Sequence, residues 1–436
     1  MILRKGRITK DKLKNVAQFT SSIEKDYVLA EYDIKQSIVH TRALEKAGIL
    51  TKTDSLKLVS GLEKLLKKVR QEPEFLKGNY EDIHMAIEEE LGEIGKKLHA
   101  GRSRNDQIAC DMRMYIRDSI NRIIDGLTLT IKTLKDRDKE VEGKKVFIPA
   151  YTHLQRAQAV NLSTYLGVYI NWFKRDKERL GELKKRVNQL PLGSAASASS
   201  NIKLDCNMIA QELGFSGIMA NPMDAVSSRD YILEFANDLA ILGVNLSRLA
   251  EDFIIFSSRE FSFIELDESI ADTSSIMPQK KNPDCLELIR SASGRMISTS
   301  VNLNVVMKGL PLTYNRDMQD DKEIFVSAQT AESIVNLLPD IFNNIKFNTI
   351  KMIDAAKEGF TDAADFAEYL VLKKNMDFRT AHQKTGKLVT KALKKGYSSL
   401  GELSFDDITK TVPEAGKDIF EFIEVKNAVK RRLHKK

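Results

Sequence analysis

The segment DTSSIMPQKKNPDCLELIR, Asp272 to Arg290, concentrates groups that act on anions. Pro278 and Pro283 bracket a short polar loop holding Ser274, Ser275, Gln279, Lys280, Lys281 and Asn282. Hydroxyl, amide and ammonium groups at that density, between two core helices, have the composition of an anion-binding lid. A helix is expected to start at Pro283, with Asn282 as its cap. A second segment, AYTHLQRAQ, sets His153 beside Thr152, directly after Pro149. We read it as a loop leading into a helix. An imidazole with a reference pKa of about 6.5 trades protons at neutral pH, and the Thr152 hydroxyl can bind a carboxylate oxygen. A lone histidine is more often structural. Its place in a run of hydrogen-bonding side chains weighs equally on the other side.

Two further segments put polar groups where packing does not need them. In LHAGRSRNDQ, Gly101 permits a tight turn, and Ser103, Asn105 and Asp106 can cap the helix that follows. Arg102 and Arg104 flank Ser103, and guanidiniums beside free N–H groups at a helix start suit a carboxylate. The plainer reading is a capping turn with surface arginines. TYNRDMQDDKE carries Tyr314, Gln319 and Lys322, the last two three apart and so on one face if the segment is helical.

These segments must be held by the rest of a 436-residue chain that is 42% hydrophobic and 30% charged, the profile of a soluble globular protein. No apolar run approaches the roughly 20 residues that cross a bilayer, and MILRKGRITKDKLKN lacks the apolar core of a signal peptide, so a cytoplasmic location is expected. Cys110, Cys206 and Cys285 are far apart without a CxxC pair, and the six histidines show no HxxxH spacing; neither disulfides nor a metal are expected. The net charge of +7 comes from 68 basic residues interleaved with 61 acidic ones. With few aromatic platforms, that reads as a lysine-rich solvated surface that helps collect a small anion, not as a nucleic-acid interface.

Nine prolines leave long intervals free to be helical. Met112, Ile116, Ile120, Ile123, Leu127, Ile131 and Leu134 step by four or three along one helical stripe. Ile232, Phe235, Leu239, Leu242, Leu246, Leu249, Phe253 and Phe256 keep a 3.5-residue repeat over three to four heptads, the pattern of helices packed at shallow angles. Strand alternation is nearly absent. The reading is an all-α protein: an N-terminal helical domain over 1–104, a central long-helix bundle over 105–352 and a C-terminal helical domain over 353–436. The Ile232–Phe256 seam is expected to be buried between subunits of a homo-oligomer.

The loop SSIMPQKKNPD resembles the serine-loop signature of the fumarase/aspartase superfamily, SSxMPxKxNP, and its QKKNPD ending is similar to that of the argininosuccinate lyases. GRSRNDQ, YTHLQRAQ and TYNRDMQDDKE match the same family in the expected order, as do EYDIKQSIVHTRALEKAGIL, EDIH at 81–84, NPMDAVSSRDY and TDAADFAEYLV. The resemblance covers nearly the whole chain. It implies an all-α homotetramer with a twenty-helix central bundle and active sites each built from three subunits, without a cofactor. It places His153 and Ser274 as the acid/base pair and Ser22, Asn105, Thr152, Asn282, Tyr314, Gln319 and Lys322 at substrate-binding positions. Glu287 falls where a carboxylate orients the histidine.

The implied reaction removes a proton beside a carboxylate of argininosuccinate and expels a guanidinium nitrogen, giving fumarate and arginine. Its difficult species is a doubly charged aci-carboxylate, which preorganised donors such as Thr152, Ser275, Lys280 and Asn282 are suited to stabilise. A histidine paired with a carboxylate such as Glu287 suits protonation of the leaving nitrogen. An unassisted serine is too weak an acid to serve as base, so Ser274 needs its oxyanion held by loop amides and an ammonium such as Lys280. Either assignment of base and acid can be written, and Ser274 as base is preferred because a loop can deliver it. Departures from the family include Thr273 where glycine is usual, which stiffens the loop, and AASASSNIKLDC where the pattern is glycine- and alanine-rich. The competing readings are a sister lyase acting on adenylosuccinate, aspartate or malate, and an inactive crystallin-like relative. Tyr314, Gln319 and Lys322, used by the family on the arginine half, favour the first reading over the sister lyases, and intact His153, Ser274 and Lys280 over the crystallin.

Overall fold

Long proline-free intervals do become long helices. The computed structural model describes residues 7, 10–142 and 145–432. Its principal elements are α1 (Ala30–Lys46), α2 (Lys52–Gln71), α3 (Ile83–Glu90), α4 (Arg104–Glu142), β1 (Phe147–Thr152), β2 (Gln155–Asn161) and α5 (Leu162–Val187). They continue with α6 (Asp230–Ser257), β3 (Asp272–Thr273), β4 (Lys281–Asn282), α7 (Asp284–Met307), α8 (Ile324–Asn343), α9 (Ala363–Lys374) and α10 (Phe378–Lys394). The architecture is all-α. Strands occur as short two-stranded pairs, and two of these carry the Thr152–His153 and Ser274 segments.

The chain divides into two units. The first comprises Met1–Leu127, Arg175–Val244 and Ser291–Val335. Within it, local chemistry starts the shorter helices: Thr51 accepts the N–H of Asp54 for α2, and Asp82 accepts that of Met85 for α3. Gly243 on α6 lies where a Cβ would stand 3.2 Å from the Ser293 carbonyl of α7, so the two helices approach closely there. The second unit comprises Thr128–Lys174, Asn245–Arg290 and Asn336–Lys436. Phe366, Leu370, Leu388, Leu400, Ile408 and Ile419 share one apolar core in its C-terminal part. Pro339 lies inside α8, so one proline does not break the helix in which it falls.

All seven residues of the Met112–Leu134 stripe are buried, as the step of four and three requires. The Ile232–Phe256 seam is corrected: all eight residues are already buried within the single chain, so the seam is not left for another subunit. A 3.5-residue repeat records a helix with a partner and cannot say whose helix that is. Exposed apolar positions on the long helices of the first unit include Ile241 and Val244 on α6, Ile297, Val301 and Val305 on α7, and Val326 on α8. Among the described residues no helix is long and apolar enough to cross a membrane.

Candidate active site

In the first unit the TYNRDMQDDKE segment folds as a 3-10 turn over Arg316–Glu323, not as α-helix. Residues three apart eclipse in that geometry, so Gln319 and Lys322 do lie on one side. The Gln319 carbonyl faces the Lys322 ammonium at 3.4 Å. Lys322 is buried, with Asp321 Oδ1 at 3.3 Å and Asp26 Oδ1 at 3.6 Å from Nζ. Burial opposes its charge, yet the two carboxylates hold its pKa above the usual lysine value. Asp26 also accepts the Ser22 hydroxyl. Tyr314 stands in the field of Lys322 and Arg229, and burial raises its phenol pKa. Ser22, Tyr314, Gln319 and Lys322, named from distant segments, thus meet in one neighbourhood. Its organisers are Asp26, Asp321 and Arg229, which the motif reading missed. The signals were present: Asp26 follows Ser22 by four, Asp321 precedes Lys322, and Arg229 sits inside NPMDAVSSRDY.

GRSRNDQ forms a reciprocal cap at the start of α4. Asp106 accepts the Ser103 N–H at 2.8 Å, and Ser103 Oγ accepts the Asn105 N–H at 3.3 Å. The other Asp106 oxygen accepts N–H groups of Gly193 at 3.1 Å and Ala195 at 2.8 Å. The Asn105 amide donates to the Ala196 carbonyl at 3.0 Å, so the segment that departs from the family is pinned to this cap. Burial pushes the Asp106 carboxyl up to about 6 despite those donors.

Arg102 and Arg104 need correction as carboxylate-binding groups. Arg102 is buried and donates to Gln36 Oε1 and Ser37 Oγ at 3.3 and 3.0 Å. Arg104 donates to Glu88 and Gln107 at 2.8 and 2.9 Å and lies 3.5 Å from Asp82. A guanidinium out of water takes its partners from the protein, and these two are engaged in positioning the turn.

Beside Arg102, the buried side chains of Asp33, His84 and Asp111 bring ligand-type atoms within 4.8 Å of one another, a grouping with the composition of a metal site. Gln107 and Gln36 donate to one oxygen of Asp33 and Asp111 respectively. Burial, then the neighbouring Asp33 charge, raises the Asp111 pKa well above the carboxylate range. Asp33 goes the other way: His84 and Arg102 outweigh desolvation and lower it. With His84 3.1 Å from Asp33, Arg102 alongside and two glutamine amides donating to the carboxyls, we read the group as a buried ion network.

In the second unit, Thr152 and His153 lie at a hairpin tip, which corrects the loop-to-helix reading. Strands β1 and β2 pair antiparallel with Thr152 opposite Gln155, leaving His153 and Leu154 as a two-residue turn. Both have φ of +55°, the backbone of a type I′ turn that usually takes Asn-Gly. Residue preference pointed away from a hairpin, and sheet pairing overrode it. Thr152 and His153 are exposed.

The serine loop is a second hairpin. Asp272 pairs with Asn282 and Thr273 with Lys281. The Thr273 hydroxyl donates to the Lys280 carbonyl at 3.1 Å, and the Ser274 N–H to the same oxygen at 3.4 Å, bonds that close the loop. Ser274 Oγ accepts the backbone N–H groups of Met277 at 3.1 Å and Ile276 at 3.4 Å. Ser275 and Lys280 are exposed on the same loop. Pro283 supplies the carbonyl for the first bonds of α7, so the helix starts one residue later than expected and Asn282 is a strand residue, not its cap. Glu287 is exposed in the first turn of α7. Among the described residues of this one chain, no hydrogen bond or ion pair joins His153, Ser274 and Glu287.

Comparison with known proteins places the chain in a family. The family described as Lyase matches residues 6–298, and that described as Argininosuccinate lyase C-terminal matches residues 360–430. The argininosuccinate lyase of Caldanaerobacter subterraneus subsp. tengcongensis is 44% identical over 98% of this chain and 97% of its own. That of Alkaliphilus metalliredigens is 42% identical over 98% and 93%. Among solved structures, an EDDS lyase in complex with formate superposes with a TM-score of 0.82 at 26% identity, over 98% of this chain and 87% of that one. A class II fumarase from Schistosoma mansoni superposes with a TM-score of 0.80 at 15% identity, over 96% and 93%, a likeness of fold. With a near full-length match at 42–44% identity and both family segments present, the chain belongs to the argininosuccinate lyases, carbon–nitrogen lyases of the fumarase/aspartase superfamily.

Proposed function

We propose that Ser274 is the base and His153 the acid in the cleavage of argininosuccinate to fumarate and arginine. The observation that carries this assignment is the Ser274 oxygen, which already receives the Met277 and Ile276 N–H groups. Donors aimed at Oγ lower the cost of the alkoxide that forms when the proton leaves. Lys280, on the same exposed loop, adds positive charge once the loop closes on an anionic substrate. Thr152, Ser275 and Asn282 then hold the carboxylate on which charge develops. His153, oriented by Glu287, delivers a proton to the departing guanidine nitrogen. Ser22, Tyr314, Gln319 and Lys322 bind the remaining polar groups of the substrate, with Asn105 at the α4 cap.

Among the described residues no hydrogen bond or ion pair joins His153, Ser274 and Glu287 within one chain, which supports a site completed by other copies, in a cytoplasmic homotetramer. The apolar positions of α6 and α7 supply a surface for that assembly. The test is fumarate absorbance on adding argininosuccinate, with adenylosuccinate and aspartate as controls. Release from argininosuccinate alone is expected; release from either control instead would assign a sister activity.

A further inference from the structure

The turn that carries His153 is built from unfavourable residues. A type I′ turn needs positive φ at both central positions, which is why asparagine and glycine dominate it. Here the positions are His153 and Leu154, each at +55°. Leucine has no polar side chain to support that backbone, and Leu154 is 69% exposed, so packing within the chain does not repay the strain. It stands at the rim of a cleft of about 420 Å³, with Tyr151, Phe261 and Phe263 among the lining residues. Behind the turn the hairpin is firmly held. Tyr151 packs on Phe261 and Phe263 with ring centres 5.5 and 6.4 Å apart, and Arg156 pairs with Glu358 at 2.9 Å.

Glycine at 154 would form this turn more easily, but it would also leave it loose, because glycine roams a wide region at positive φ. A residue with a Cβ has only the narrow left-handed well. Two such residues in a two-residue turn, closed by the Thr152–Gln155 pair, fix the direction in which the His153 Cα–Cβ bond leaves the backbone. We propose that Leu154 is a positioning residue: its Cβ, by confining the turn, aims the His153 imidazole. The inference rests on the acid role given to His153. Strain is retained where it preorganises a reacting group.

The test compares Leu154→Gly, Leu154→Ala and Leu154→Asn with the parent enzyme, by melting temperature and by kcat and KM with argininosuccinate. Leu154→Gly relieves the strain, so it should melt at or above the parent temperature yet lose about 10-fold or more in kcat, with KM within about 2-fold, as a misaimed acid would give. Leu154→Ala keeps the Cβ and Leu154→Asn tolerates the left-handed well, so both should stay within about 3-fold of parent kcat. A Leu154→Gly enzyme with parent kcat overturns the proposal. So does an equal loss in Leu154→Ala, which would assign the effect to the isobutyl group. His153→Asn is the control: if it retains turnover, the acid role itself fails, whatever Leu154 does.

Discussion

Arg229 donates its Nε–H to Asp321 Oδ2 at 2.7 Å, and the two side chains are only 2% and 0% exposed. Asp321 uses its second oxygen toward Lys322 at 3.3 Å, so one carboxylate is shared by two buried cations.

Asp321→Asn should therefore cost about 3–5 kcal/mol, the usual loss when one partner of a buried pair is removed. Arg229 loses its carboxylate partner, and Lys322 retains only Asp26 of its two. Urea denaturation at neutral pH, with KM measured in parallel, checks this. A stability change below about 1 kcal/mol, the size of an exposed ion pair, would mean the site is open to water.

A titration prediction concerns Glu88. Desolvation raises its pKa, but the His99 hydrogen bond and the Arg104 charge outweigh it and bring the carboxyl from 4.5 down to about 2. A group with a depressed folded pKa stabilises above its unfolded value and loses that stabilisation as pH falls through the folded one. The acid limb of stability between about pH 4.5 and 2 should therefore be shallower in Glu88→Gln than in the parent, and the variant should be the less stable at pH 7. Parallel limbs in denaturation series from pH 7 to pH 3 would contradict it.

Assembly is predicted from the apolar positions left exposed. Val301→Glu combined with Val305→Glu should give a dissociated chain of unchanged helix content, because both residues are exposed in the isolated chain. Leu239→Glu, in the buried seam, should instead unfold it. Light scattering and circular dichroism separate the two outcomes. An assembled double variant would move the interface elsewhere.

If His153 and Ser274 reach one site from different copies, two inactive variants should rescue each other. His153→Asn alone should lower turnover at least ~100-fold, the low end of acid–base contributions, with the fold retained. Mixed with Ser274→Ala at equal amounts and co-refolded, it should recover roughly a quarter of parent sites in a symmetric random assembly. Activity no higher than the sum of the parents, with hybrids shown to form, would place both residues in one chain's site.

The sequence by itself determined the helical class, the Met112–Leu134 stripe and the segments that carry chemistry, because helical periodicity and motif order are local properties of the chain. It also located Lys322 and Ser274 without their surroundings. Only the tertiary structure decided that Arg102 and Arg104 are engaged with the protein's own side chains, and that Lys322 is held by Asp26 and Asp321. Which groups meet, once water is excluded, depends on how separate segments pack, from Gln36 beside Arg102 to Asp26 beside Lys322, 296 residues away. The hairpin at His153 was likewise illegible, since a His-Leu pair is a poor I′ turn and strand pairing imposes it against residue preference. The Ile232–Phe256 seam shows the same limit: its period announced a buried face, and the folded chain decided that the partner was its own core.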